Sequence, residues 1–150
     1  MTDMGQAVSA TRRPVHLWLV GTFSLLWNAF GAFDYVMTKT HNAAYLAGFT
    51  VEQRAYFDSF PTVMVSLWAF GVWGALAGSL LLLARSRHAV AAFVVSLAGL
   101  AGSTITQFAL LDAPDSLHSA GMVAMNLVIW AVAIVLLVYA RMMTMKGELR

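Results

Sequence analysis

The stretch from Thr62 to Leu111, TVMVSLWAFGVWGALAGSLLLLARSRHAVAAFVVSLAGLAGSTITQFALL, decides the fold of this 150-residue chain. It holds two apolar runs, Thr62 to Leu83 and Ala89 to Leu111, separated only by Ala84-Arg85-Ser86-Arg87-His88. Each run has about the 20 apolar residues that cross a bilayer as a helix. So short a break makes the two spans antiparallel neighbours. Two further runs flank them, Val15 to Met37 before and Ser119 to Ala140 after. Inside these four limits Asp34 is the one formally charged side chain. The expected fold is all-α, a transmembrane four-helix bundle over residues 15–140, with tails at 1–14 and 141–150.

Composition agrees. Hydrophobic residues make up 60% of the chain and charged residues 11%, against about a quarter charged in soluble domains. The surface of a soluble domain this size needs more polar groups than that; a bilayer does not. There is no cysteine, which excludes disulfides, thiolate catalysis and cysteine-based metal sites. The net charge of +2 is too small and too dispersed for nucleic-acid binding. Its distribution informs topology instead. Arg12, Arg13, Arg85, Arg87, Arg141, Lys146 and Arg150 fall on one side of the spans, and only Lys39 and Arg54 on the other. The positive-inside rule then expects both termini in the cytoplasm. Thr11-Arg12-Arg13 resembles a secretion signal, but the apolar run after it is too long and ends without a small-x-small cleavage site.

The first external loop, residues 38–61, is aromatic: Tyr45, Phe49, Tyr56, Phe57 and Phe60. His41 to Ala47 reads as a short helix stopped by Gly48. Thr50 with Gln53 three residues on is a capping box for a second one, running to about Ser59. Pro61 then opens the second span, where proline is tolerated. Aromatic rings favour headgroup depth, so the loop is expected to lie over the bundle mouth. Asp112-Ala113-Pro114-Asp115 reads as a turn, with Asp115 or Ser116 capping the fourth span.

Lipid gives helices no hydrophobic drive to associate, so close backbone approach matters. Gly21, Ser24, Asn28 and Gly31 along one face of the first span, Gly71, Gly74 and Gly78 on the second, and Ser96, Gly99 and Ser103 with Gly102 on the third are the expected packing positions. They serve a single bundle or a dimer equally well. Polar groups at membrane depth are costly and need partners or a wet cavity. The candidate polar site is Asp34, Asn28, Gln107 and Asn126, all in the outer half of the spans. Two readings follow. One is a solute or proton site with Asp34 as its charged element. The other is interhelical hydrogen bonding, with Asp34 accepting from Gln107, a tyrosine hydroxyl or His118. Trp27, Trp73 and Trp130 lie near mid-membrane, where large rings fill space opposite glycines.

His16, His41, His88 and His118 sit at span ends or in loops, so no axial haem pair falls within the spans. Met142, Met143 and Met145 offer thioethers of the kind copper(I) takes, and equally the end of a helix leaving the membrane. Nucleophile–base pairs, phosphate loops, paired carboxylates and zinc spacings are missing from the sequence. Neither an enzyme nor a metal or cofactor site is expected.

The chain carries Leu26-Trp27-Asn28 with Gly31-Ala32-Phe33-Asp34-Tyr35, Tyr45-Leu46 through Gln53, Tyr56-Phe57, Pro61, and Trp68 through Gly74 with Gly78-Ser79-Leu80. On these residues the chain resembles small four-span inner-membrane proteins of bacteria that carry the label "sugar transporter". The resemblance runs from His16 to about Leu111. That family usually has a tryptophan shortly after the loop proline, where Thr62, Val63 and Met64 stand here. The resemblance implies a multi-pass protein of the bacterial inner membrane that carries a sugar-like solute. It brings no site residues with it. Four helices leave little room for a carrier cavity, so such a role would call for a homo-oligomer. The alternative is a non-catalytic accessory or scaffold subunit of a larger membrane complex. Reporter fusions test the topology: a reporter in the Arg85–Arg87 loop is expected on the same side as both termini. Finding it on the side of the aromatic loop would overturn the assignment.

Overall fold

The computed structural model describes residues 15–111 and 119–150. Six helices follow in order: α1 (Val15–Lys39), α2 (Ala43–Leu46), α3 (Val51–Asp58), α4 (Thr62–Leu83), α5 (His88–Leu110) and α6 (Ala120–Met145). There is no strand among the described residues. Four of the helices are long and apolar enough to cross a bilayer. The 22 residues of α4 rise about 33 Å at 1.5 Å per residue, enough for a hydrocarbon layer of about 30 Å. The chain is a multi-pass membrane protein, all-α, as its sequence predicts. Its two ends differ. Arg85, Arg87 and Arg141 mark a basic end, and α2 and α3 mark an aromatic end.

Local chemistry sets the element boundaries. Thr50 caps α3 with both halves of the capping box formed, and Asn42 caps α2 by accepting from the Tyr45 N–H. Pro61, extended and without an N–H to satisfy, precedes α4. Ser119 caps α6, accepting from the Met122 N–H. The cap expected at Asp115 or Ser116 is therefore corrected by one short turn; those two residues lie outside the described ones. A serine three residues before a free N–H does the capping, whatever acid stands upstream. Beyond its expected end at Ala140, α6 continues to Met145. Met142, Met143 and Met145 thus belong to the last turns of a helix.

Three helices end in the same way. Residues His41, Arg85 and Gly147 have positive φ, at 51°, 58° and 72°. After α4 the Ser86 N–H donates to the Leu81 carbonyl at 2.8 Å and the Arg85 N–H to that of Leu82 at 3.1 Å. That pair of bonds is a Schellman ending, which satisfies carbonyls left free at a helix C-terminus. Glycine takes the left-handed position without strain after α6, while Arg85 takes it at a cost of order 1 kcal/mol. Other bonds hold Arg85 there. Its carbonyl accepts from the Arg150 N–H at 2.8 Å, and the Arg87 N–H donates to the Arg150 carbonyl at 3.0 Å. The Arg85 guanidinium donates to the Glu148 carboxylate at 2.9 Å and to its backbone carbonyl at 3.0 Å. The C-terminal segment is stitched to the α4–α5 turn.

Packing centres on α4 and α5. A methyl group added at Gly99 would stand against the backbone N of Gly71 and 2.6 Å from the Leu67 carbonyl. One added at Gly74 would meet the Ser96 N at 2.9 Å, and one at Gly78 the Phe93 ring at 2.7 Å. At Gly99 and Gly74 hydrogen is the only substituent that lets the two backbones meet, and at Gly78 it makes room for the Phe93 ring. The Ser96 hydroxyl uses the proximity and donates to the Gly71 carbonyl at 2.6 Å. Gly31 differs from the other expected packing glycines, with nothing within 4 Å of where its Cβ would be. On α1 it is Gly21 that lies close to a neighbour, the Leu83 side chain.

The core gathers at the basic end: Leu17, Leu82, Ala89, Phe93, Leu136, Ala140, Met143 and Leu149 are buried together. All four spans and the C-terminal segment contribute to it. Toward the aromatic end α6 departs, and Ala120 to Ile129 are all exposed. Replacing Gly99 by leucine is expected to force α4 and α5 apart. Overpacking costs about 1–3 kcal/mol in ordinary cores, and more where backbone is the obstacle. Thermal unfolding in detergent should show a large loss for Gly99→Leu and almost none for Gly31→Leu.

Candidate functional site

The four residues singled out for a polar site lie in four surroundings. Asn28, near the middle of α1, donates to the Ser79 hydroxyl of α4 at 2.9 Å and to the Ala75 carbonyl at 3.4 Å. The hydroxyls of Ser24 and Ser79, both fully buried, meet at 2.5 Å. This small network ties α1 to α4 inside the membrane. Interhelical bonds of this kind contribute about 0.6 kcal/mol each on average. A serine one turn from the asparagine makes it possible, since Ser24 and Asn28 share a helix face toward Ser79.

Asp34 stands where α1 nears the aromatic end. Its carboxylate accepts from the Tyr45 hydroxyl at 2.5 Å. A tyrosine hydroxyl was among its expected partners, and Gln107 takes no part. The bond fastens α2 to α1 and sets the loop down on the helix. Burial, then the hydrogen bond to Asp34 and its negative charge, push the Tyr45 pKa up to about 12. Each disfavours a phenolate in the same place, so phenol and carboxylate stay complementary well into alkaline solution.

From Tyr45 a chain of ring contacts crosses the aromatic end. Phe33 of α1 meets Tyr45 edge-on at 5.7 Å, Tyr45 meets Phe49 at 5.6 Å, and Phe49 meets Phe57 of α3 at 5.4 Å. Phe60 joins Phe57 to Trp68 of α4, and Trp68 packs on Tyr35 of α1 at 4.8 Å. Edge-to-face pairs contribute roughly 0.5–1.5 kcal/mol each beyond buried area. Together they fix α2 and α3 as a cap over α1 and α4. The His41–Asp58 pair at 3.4 Å is exposed and adds little.

Gln107 belongs to a third setting. The Tyr56 hydroxyl is buried with no hydrogen bond of good geometry. Burial pushes its pKa up, and the nearby Gln107 amide pulls it partly back. Asn126 is in a fourth setting, exposed on α6 about 9 Å in from the helix start at 1.5 Å per residue. No hydrogen bond joins any two of the four. Two open grooves of about 400 and 450 Å³ lie at the basic end, lined among others by Arg85 and Arg150 in one and by Arg87 and Arg141 in the other. None of the four polar residues lines either groove. His16, a basic-end histidine, bonds the Tyr139 hydroxyl at 2.7 Å. Among the described residues, no three His, Asp or Glu side chains converge.

Sequence reading missed two features. One is the C-terminal segment, whose signal is a lone apolar residue, Leu149, after the helix-ending Gly147. The other is Ser79, the α4 hydroxyl that Ser24, an expected packing residue, meets. No family model, curated protein or solved structure matches the chain, so the likeness to proteins labelled sugar transporters stays a resemblance.

The Asp34–Tyr45 bond gives a pH dependence whose sign follows from the raised pKa. The folded state holds the phenolic proton more tightly than the unfolded chain, whose tyrosine titrates near 10. Its stabilisation is complete below about pH 10 and disappears as pH rises through about 12. Ultraviolet titration of tyrosinate should lose its latest-ionising group in Tyr45→Phe. The wild-type advantage over that variant in thermal unfolding should shrink between pH 10 and 12.

Proposed function

We propose that this protein is a non-catalytic accessory subunit of a larger membrane complex, which it joins through the outer half of α6. The observation that carries this reading is Asn126. An amide in hydrocarbon seeks a hydrogen-bonding partner, and the described chain provides none. At 100° per residue Asn126 shares a face with Ala133 and Ala140, seven and fourteen positions on. Ala140 is fully buried against the bundle. Asn126 therefore continues the packed stripe of α6 into the region where α6 stands alone. The occupant is a transmembrane helix of another subunit, with a polar side chain at matching depth. Helix α6 is then shared, with one half in its own bundle and the other in the partner's.

What favours this over solute transport is the way the polar groups are used. Asn28 is spent on α4 and Asp34 on Tyr45, and no polar route links the two. The distribution of basic residues supports, under the positive-inside rule, a cytoplasmic side for both termini and the α4–α5 turn. The aromatic cap then faces outward, in keeping with a bacterial inner-membrane protein.

The lack of cysteine makes a clean test possible. Single cysteines at positions 126 and 134 are crosslinked in native membranes, and the complex is purified in mild detergent. The expected result is one crosslinked membrane protein in fixed stoichiometry from position 126 and none from position 134. Asn126→Leu should abolish its co-purification. Disulfide dimers through position 126 would assign a homo-oligomer instead. Solute uptake in proteoliposomes that vanishes in Asp34→Asn would restore the transport reading. Either result overturns the accessory role.

A further inference from the structure

The basic end contains a site that the helix assembly leaves unexplained. A groove of about 450 Å³ runs between the start of α5 and the end of α6, with Arg87, His88 and Arg141 at its rim and Val90 and Met145 among its apolar walls. Arg87 and Arg141 are 54 positions apart (141 minus 87) and reach the same groove only because α5 and α6 pack together at this end.

Their charges are treated differently from that of Arg85. Arg85 is neutralised by Glu148 at 2.9 Å. Neither Arg87 nor Arg141 forms an ion pair among the described residues, and both are exposed. Two unneutralised guanidinium groups on one groove repel each other unless an anion lies between them. The groove also sits where two membrane spans end, so the anion best supplied there is the phosphate of a lipid. Guanidinium binds phosphate through two parallel N–H bonds; phosphatidylcholine carries that phosphate too, but its quaternary ammonium cancels the negative charge and is repelled by the arginines, so a lipid of net negative charge is favoured. The His88 ring can add a donor from the first turn of α5. The Thr144 hydroxyl, also in the groove, already donates to the Ala140 carbonyl at 2.9 Å, so the donors are the two arginines and the histidine. Val90 and Ala91, about one turn deeper along α5 than Arg87, offer an acyl chain an apolar wall below a charged rim. A free phosphate ion would have no use for that wall.

We infer that the Arg87–Arg141 groove is a binding site for one anionic phospholipid, its phosphate held between the two guanidinium groups and an acyl chain laid against Val90 and Ala91. Binding pins α6 to α5 at the end where the core is closed. Basic groups near anionic lipid contribute enough that losing both arginines lowers retention on the order of tenfold or more.

Native mass spectrometry of the detergent-solubilised protein tests this with three probes: phosphatidylglycerol, phosphatidylcholine and inorganic phosphate. The expected result is one tightly retained phosphatidylglycerol, displaced by rising salt, with phosphatidylcholine and inorganic phosphate retained weakly or not at all. The double variant Arg87→Gln/Arg141→Gln should fall to the phosphatidylcholine level, while Lys146→Gln keeps the lipid. If the double variant fails to fold, Arg141→Lys and the salt series on the wild type carry the test. Equal retention of both lipids, retention of phosphatidylglycerol unchanged by the arginine variants, or binding of inorganic phosphate alone would each overturn the site. So would an acidic protein segment occupying the groove in the purified complex.

Discussion

Backbone contact between α4 and α5 is the constraint on which the rest of this molecule depends. Gly71, Gly74 and Gly99 bring the two helices together until side chains no longer separate them. In a bilayer the reward for this is dispersion and polar contact between backbones, because lipid is as apolar as the side chains it replaces. The four-residue turn between the helices, Ala84 to Arg87, leaves no slack, and its Schellman ending and its bonds to Arg150 fix how α5 begins. With that hairpin set, α1 is added on one side through Ser24, Asn28 and Ser79. Helix α6 is added on the other through Leu136, Ala140 and Met143.

The polar groups inside the spans serve as fasteners of limited reach. Each of the first three meets one local partner: Asn28 with α4, Asp34 with Tyr45, Gln107 beside Tyr56. Dispersal of this kind stabilises helix contacts and makes no common wet chamber. Asn126 stands apart because its helix has left the bundle before reaching its depth. The same amide is structural on α1 and unsatisfied on α6, and the difference lies in the neighbours.

The two ends achieve order by different means. At the aromatic end, ring edges and one strong hydrogen bond hold two short helices as a cap over α1 and α4. At the basic end, an apolar core, an ion pair and a backbone bridge close the bundle and bind the C-terminal segment into it. Among the described residues, the closed end presents Arg87 and Arg141, neither in an ion pair, to the headgroup region, and the open end presents Asn126, which makes no hydrogen bond, to the hydrocarbon. One surface suits a lipid and the other a helix.

The sequence alone determined what depends on short stretches of chain. Roughly 20 apolar residues make a span wherever they occur, so the four membrane helices were legible from Val15 to Ala140. Thr50 with Gln53 declared the α3 cap, because capping is settled within one turn. The polar residues could be identified, since a carboxylate or amide in such runs is conspicuous. Tertiary structure decided which faces meet. Gly31 and Gly99 look alike in sequence, yet only Gly99 lies against another backbone. Leu149 reads as tail and is core, and Asn126 reads as one of four site residues and is alone. A span's hydropathy is summed over its length and says nothing of rotation about the helix axis. In a bilayer, where every face of the helix is apolar, rotation is fixed only by the neighbour it meets.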